Sequence, residues 1–178
     1  MSQKPTKAHE IFHPPLIPPI PSISLRTGKG EKVPSPPVGE GLGEGYFRIN
    51  TIGEWCVHRY DRVGSTNDIA RSLPPWHAVR ANSQTSGRGR QGRLWISDYG
   101  GLWLSMVVPV EGARHHWKAL PLAAGWAILD VIKCLGAWEA RLRWPNDIMV
   151  NDRKLAGILV EQFHDNLAVV GVGINVFN

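Results

Sequence analysis

The sequence predicts an α+β fold: a mixed, largely antiparallel β-sheet with helices packed on it. Three observations carry that prediction. Several apolar runs have strand length and are bounded by turn residues, two segments between them read as helices, and two hairpins follow one another near the end of the chain.

The folded part is expected to start late. Nine of the fourteen prolines precede Gly45, in runs such as Pro14-Pro15, Pro18-Pro19 and Pro36-Pro37, and this stretch has neither a helical nor a strand period. Residues 1–45 are therefore expected to be a disordered Pro/Gly-rich leader and residues 46–178 the folded domain.

Residues 55–60 read as the first strand. Ser65-Thr66-Asn67-Asp68 then sets short capping side chains ahead of Ile69, Ala70 and Leu73, which predicts a helix that Pro74-Pro75 ends. Residues 77–83 read as a second strand leading into a glycine and arginine loop at 87–93. Residues 102–108 form an apolar run between Gly100-Gly101 and Pro109, the length of a buried strand. Residues 120–135 predict a buried helix with Leu122, Trp126 and Leu129 on one face. After it, residues 148–150 should pair with 155–160 across Asn151-Asp152, and that strand with 167–172 across residues 164–166.

The net charge of +5 is modest, and residues 46–178 hold fifteen Lys/Arg against eleven Asp/Glu. Such a balance favours an anionic partner without choosing among nucleic acid, nucleotide and acidic protein. Cys56 and Cys134 are far apart and have no neighbour with which to form a clip or disulfide framework, so they read as buried thiols in a reducing compartment, the cytoplasm. No apolar run approaches the roughly 20 residues that span a bilayer. Four prolines interrupt residues 11–20, which argues against a signal peptide. His115-His116 near Glu111 reads as exposed loop rather than a metal site.

The most informative segment is Gln84-Thr85-Ser86-Gly87-Arg88-Gly89-Arg90-Gln91-Gly92-Arg93-Leu94-Trp95. Its G-x-G-x-x-G spacing is not read as a dinucleotide fingerprint, because that motif opens a helix whereas residues 96–101 are turn sequence. Glycines allow close backbone approach, and three guanidinium groups offer forked, permanently charged donors for carboxylate or phosphate. The combination suits a reaction that brings two anions together. A basic RGR-type segment binding nucleic acid has the same composition, although here it occurs once and between two expected strands.

At this point the sequence resembles a known family. Gly87-Arg88-Gly89-Arg90-Gln91-Gly92-Arg93-Leu94-Trp95 is similar to the G-R-G-R-x-G-R-x-W motif of biotin protein ligases. Ser65-Thr66-Asn67 lies upstream, and Arg143-Trp144-Pro145-Asn146-Asp147, Lys154-Leu155-Ala156-Gly157-Ile158-Leu159-Val160-Glu161 and Gly171-Val172-Gly173-Ile174-Asn175-Val176 follow, all in the family's order. The resemblance implies the class II aminoacyl-tRNA synthetase/biotin ligase catalytic fold. It also implies ATP-dependent activation of biotin to biotinyl-5'-AMP, with Mg2+, and transfer to a lysine of a biotin carboxyl carrier protein of a biotin-dependent carboxylase.

By the same resemblance, Ser65, Thr66, Asn67, Gln84, Gly87, Arg88, Gly89, Arg90, Lys154 and Gly157 are expected to contact biotin. Arg90, Arg93, Trp95, Asn146, Asp147, Lys154 and Asn175 are expected to serve ATP, with Asp147 a magnesium ligand and Arg90 and Lys154 catalytic. Singly, many of these have plainer uses: Ser65 and Thr66 as helix caps, Asn146-Asp147 as a turn, Lys154 as a solvated hairpin residue, Trp95 as core.

The chain departs from the family in having Arg143 where many relatives have lysine, and relatives run on past the G-x-G-I-N block, so a C-terminally truncated domain is expected. Without a helix-turn-helix pattern no DNA binding is expected, nor is membrane association, and a homodimer is compatible with the resemblance. A lipoate or octanoate ligase of the same superfamily, a non-catalytic biotin-binding fragment and a basic nucleic-acid-binding fragment are the alternatives.

Overall fold

The computed structural model describes residues 48–110, 116–164 and 166–177. The leader, Glu111 and His115 thus lie outside the described residues, and His116 opens a short 3-10 turn, His116–Lys118.

Among the described residues eight strands form one sheet: β1 (Arg48–Ile52), β2 (Trp55–Val63), β3 (His77–Gln84), β4 (Gly101–Pro109), β5 (Arg141–Arg143), β6 (Asp147–Val150), β7 (Arg153–His164) and β8 (Leu167–Asn175). Their spatial order is β1-β2-β3-β4-β8-β7-β6-β5. β2 and β3 run parallel, and every other neighbouring pair is antiparallel. The helix between the two parallel strands is α1 (Thr66–Ala70), and α2 (Leu120–Cys134) links the two halves of the sheet. The expected mixed sheet with packed helices is what forms.

Strand alternation divides the core in two. On one face Ile148, Ala156, Ile158, Val170 and Val172 pack with Leu129 and Ile132 of α2. On the other, Val79, Ala81, Val107 and Val169 pack with Ile69 and Ala70 of α1. Successive residues of β8 therefore serve opposite faces, as a pleated strand requires.

The hairpin turn is as the sequence indicated. Asn151 and Asp152 both take positive φ, 47° and 59°, which matches the twist of the flanking strands, and Val150 pairs with Arg153.

Three expectations need correction. The buried side of α2 is Gly125, Leu129 and Ile132, whereas Leu122 is 41% and Trp126 60% exposed. The reason is Gly125: a Cβ there would stand 2.8 Å from Leu142 Cδ1, so the helix seats its backbone on the sheet at that residue and its bulky stripe turns outward. α1 stops at Ala70, well before the prolines. Ser72 N–H and Leu73 N–H donate to the carbonyls of Ile69 and Ala70, and Pro74 disfavours helical geometry at Leu73. Cys134 is exposed and Cys56 half-buried, so neither is the buried thiol expected. The sequence reading also passed over β1, whose residues are mostly exposed and lack alternation, and the three-residue β5.

Candidate active site

The α1 face of the sheet is hollow where β7 and β8 carry glycine. Val170-Gly171-Val172-Gly173 places its valines under α2 and its glycines on the opposite face, and register sets Gly157 of β7 beside Gly173. A cavity of about 490 Å³ lies above this floor, lined by Ser65, Thr66 and Asn67, by the arginine loop, by Arg143 to Asp147 and by Lys154.

One wall is a fixed polar network. Ser65 is the N-cap of α1, with φ −150° and ψ 135°, but its side chain makes no capping hydrogen bond. The amide of Thr66 instead donates to Gln84 Oε1 at 2.8 Å, and Gln84 Nε2 donates to Ser97 Oγ at 2.8 Å. Ser105 Oγ stands 2.7 Å from Thr66 Oγ1 and 2.6 Å from Asn67 Oδ1. Each hydroxyl has one proton: that of Ser105 goes to Asn67 Oδ1, which can only accept, and that of Thr66 is shared between Ser105 Oγ and Gln84 Oε1, 3.0 Å from Thr66 Oγ1. Asn67 Nδ2 then donates to Glu161 Oε2 at 2.6 Å, and Arg71 holds the other carboxylate oxygen at 2.7 Å. Buried Thr66 and Asn67 are thereby oriented from behind, beside buried Ser65. Capping, the plainer use, is performed by none of these side chains.

The arginine loop folds as a tongue. Gly89 N–H donates to Arg93 O at 2.7 Å and Trp95 N–H to Gly87 O at 2.9 Å, while the tip turns through Gln91 and Gly92 at positive φ. No helix opens here beyond a single 3-10 turn, Arg90–Gly92, consistent with rejecting the dinucleotide fingerprint. Gly87 does not line the cavity but is buried against the tongue's own base, where a Cβ would meet Trp95 O at 2.4 Å and Ser97 Oγ at 2.5 Å.

The three guanidinium groups differ in their surroundings. Arg88 pairs through both terminal nitrogens with Asp68, at 2.8 and 2.5 Å, and ties the tongue to α1. That hydrogen-bonded guanidinium holds the Asp68 carboxyl below its ordinary range. Arg90 reaches across the cavity to Asn146 Oδ1 at 3.1 Å, and Asn146 is itself fixed by donating to Ile158 O. Arg93 lines the cavity, its guanidinium without a hydrogen-bond or ion-pair partner among the described residues. The charge offered to an anion thus comes from Arg90 and Arg93 and from Lys154 and Arg143, two cations around the one carboxylate of Asp147, while Arg88 is already neutralised.

Lys154 lies opposite. Its Nζ is 2.7 Å from Asp147 Oδ1 and 4.8 Å from the centre of the Trp95 ring. Asn175 is not a lining residue; its Nδ2 donates to Lys154 O at 3.1 Å and fixes the strand that carries the lysine. The Asp147 Oδ2 accepts from Arg143 at 2.8 Å. Burial pushes the Asp147 carboxyl up, yet Lys154 and Arg143 together outweigh it and hold it below the ordinary range. Each oxygen of this carboxylate is thus matched to a cation, and the pairing holds the Lys154 amine in place.

Trp95 lies over Gly157 and Gly173, where Cβ atoms would come within 3.2 Å of Cζ3 and 2.6 Å of Nε1. That indole N–H is buried without a hydrogen-bond partner, an orphan donor at the cavity's centre. The sequence reading missed Ser105, Ser97, Asp68, Glu161, Gly171 and Gly173. Only the glycines left a signal, the alternation of valine and glycine in β8.

A glycine-floored sheet facing a tongue of arginines, with one wall of oriented neutral groups and the other cationic, defines an α+β domain with a cavity suited to an anion. Residues 62–176 match the model of the biotin/lipoate A/B protein ligase family, and the chain belongs to that family. It is 35% identical over 162 residues to the bifunctional ligase/repressor BirA of Escherichia coli, covering 84% of this chain and 48% of that protein. It is 42% identical over 148 residues to the biotin--[acetyl-CoA-carboxylase] ligase of Mycobacterium tuberculosis, covering 76% and 52%. A solved biotin protein ligase from Aquifex aeolicus, in complex with biotin and ATP, superposes with a TM-score of 0.60 at 29% identity over 68% of this chain and 53% of that one. The chain thus spans about half the length of the relatives it matches.

Proposed function

We propose that residues 46–178 form the catalytic domain of a biotin protein ligase that activates biotin with ATP and transfers it to a lysine of a biotin carboxyl carrier protein. The observation that carries this reading is the division of one cavity into two chemistries. Ser65, Thr66, Asn67 and Gln84 present a rigid neutral hydrogen-bonding wall suited to a ureido ring, and Arg90, Arg93 and Lys154 supply positive charge beside it.

In the proposed reaction a carboxylate oxygen of biotin attacks the α-phosphorus of ATP, the bond to the bridging oxygen breaks, and pyrophosphate leaves with that electron pair. The amine of the carrier lysine then attacks the acyl carbon, the C–O bond to AMP breaks, and the attacking nitrogen loses a proton. Two anions must approach in the first step, and their repulsion falls when fixed cations stand on both sides. Lys154, aimed by Asp147 and Asn175, serves the reacting carboxylate and α-phosphate; Arg90 closes the tongue onto Asn146; Arg93 serves the phosphates; Trp95 offers its ring to adenine. Magnesium would accompany the phosphates of the nucleotide.

Acetyl-CoA carboxylase, named for the Mycobacterium relative, supports a carboxylase carrier as the partner. The free thiols of Cys56 and Cys134 are consistent with a reducing, cytoplasmic setting. Pyrophosphate release should require biotin and ATP together. Release that lipoate supports and biotin does not would replace this reading by the lipoate one, and steeply salt-dependent RNA binding without biotin affinity would replace it by the nucleic-acid one.

A further inference from the structure

We propose that Cys56, His58 and His77 form a binding site for one divalent transition-metal ion of the zinc type, held between β2 and β3 at the end of the sheet remote from the cavity.

The argument starts from strand geometry. Cys56 and His58 are two residues apart in β2 and so share a face, and the parallel register sets His77 of β3 directly beside Cys56. Three side chains that ligate borderline metals are thereby brought to one spot by backbone pairing. Cys56 Sγ is 3.8 Å from His58 Nε2, His58 Nε2 is 2.8 Å from His77 Nδ1, and all three ligand atoms lie within 4.8 Å of one another. Ligand atoms at zinc distances of about 2.0–2.3 Å stand roughly 3.3–3.6 Å apart at a tetrahedral angle. The spacing from Cys56 Sγ to His58 already approximates this, the one from Cys56 Sγ to His77, bounded by 4.8 Å, closes by a side-chain rotation, and the two imidazoles need to part by about half an ångström.

The surroundings favour the ion. The same face continues into Val79 and Ala81 and the core beneath α1, so the site borders apolar packing while Cys56 and His77 remain half-exposed and reachable. Neutral imidazole is the ligating form of histidine and binds through either ring nitrogen. A bound cation stabilises the Cys56 thiolate, the form in which sulfur ligates. The protons balance simply. One imidazole now donates N–H to the other, and on binding that proton moves to the far nitrogen of its own ring, while the thiol proton is released to solvent. Three protein ligands leave the fourth position to water.

Nine residues separate Cys56 from Ser65, on the order of 25 Å along a strand, so this is not part of the biotin and nucleotide cavity. The ion would clamp the sheet's parallel pair and stabilise the fold in proportion to its occupancy.

Titration of the full chain with Co2+ tests the site, followed by competition with Zn2+. The expected result is one ion per chain, a thiolate-to-cobalt charge-transfer band, visible bands of tetrahedral intensity, and a Zn2+-dependent rise in melting temperature. Cys56→Ser should abolish the charge-transfer band, and His77→Gln should weaken binding by roughly tenfold or more. Cys134→Ser, on the exposed helix α2, should change neither. Absence of the band in the parent, its persistence in Cys56→Ser, or its loss in Cys134→Ser would each overturn the proposal. Each reading is spectroscopic and independent of ligase activity.

Discussion

The tightest packing in the site is between Gly171 and Asn67, and Gly171→Ala probes it directly. A Cβ at 171 would stand 2.3 Å from Asn67 Oδ1 and 3.1 Å from its Cγ and Nδ2. The clash cannot be relieved by a small swing, because Asn67 is bonded to Ser105 on one side and Glu161 on the other at 2.6 Å each. Accommodating the methyl means breaking at least one of these. Overpacking costs about 1–3 kcal/mol, a neutral hydrogen bond about 1, and one to a charged group about 1.5–3. The substitution should therefore cost about 2–4 kcal/mol, a fall in melting temperature on the order of 10 °C.

The discriminating measurement is a double-mutant cycle by thermal or urea unfolding. Asn67→Ala removes the obstructing amide, and in that background Gly171→Ala should stabilise slightly, by about 0.5–1 kcal/mol, because alanine loses less chain entropy on folding than glycine. The sign of the effect thus reverses. If Gly171→Ala costs the same in both backgrounds, or nothing in the parent, Asn67 is not pinned as described and the rigid wall is not rigid.

Three further outcomes are expected. Arg90→Gly removes the contact to Asn146 that closes the tongue, and should leave unfolding unchanged while activated biotin escapes to label bystander lysines; retention equal to the parent's would remove the closing role. Lys154→Met keeps the stem over Trp95 but deletes the charge, and should lower single-turnover formation of the adenylate by about 100- to 1,000-fold with intact folding. The Asp147 carboxyl titrates below its ordinary range, so its contribution to stability is full above the unfolded value of about 3.9 and is lost as pH falls through the lower folded one. Acid unfolding of Asp147→Asn should accordingly be flatter than that of the parent below about pH 4, and parallel curves would contradict the pairing with Lys154 and Arg143.

Much of this protein was legible in the linear sequence, for reasons that are local. Apolar runs of strand length, the Asn-Asp turn and the helical stretch after residue 119 report backbone preference and period, properties of neighbouring residues. Arg88, Arg90 and Arg93 between glycines announce anion chemistry because charge and flexibility are intrinsic to those residue types. What only the tertiary structure decided depends on distance across the sheet. Arg88 is spent on Asp68 and Asp147 on two cations, because partners on other elements take up those groups. The outward stripe of α2 follows from Gly125 meeting Leu142, a contact no helical period contains. Cys56, His58 and His77 were separate residues in the sequence, and the parallel register of β2 and β3 alone makes them neighbours. Sequence sets what each residue can do, and pairing across strands sets which other residue it does it with.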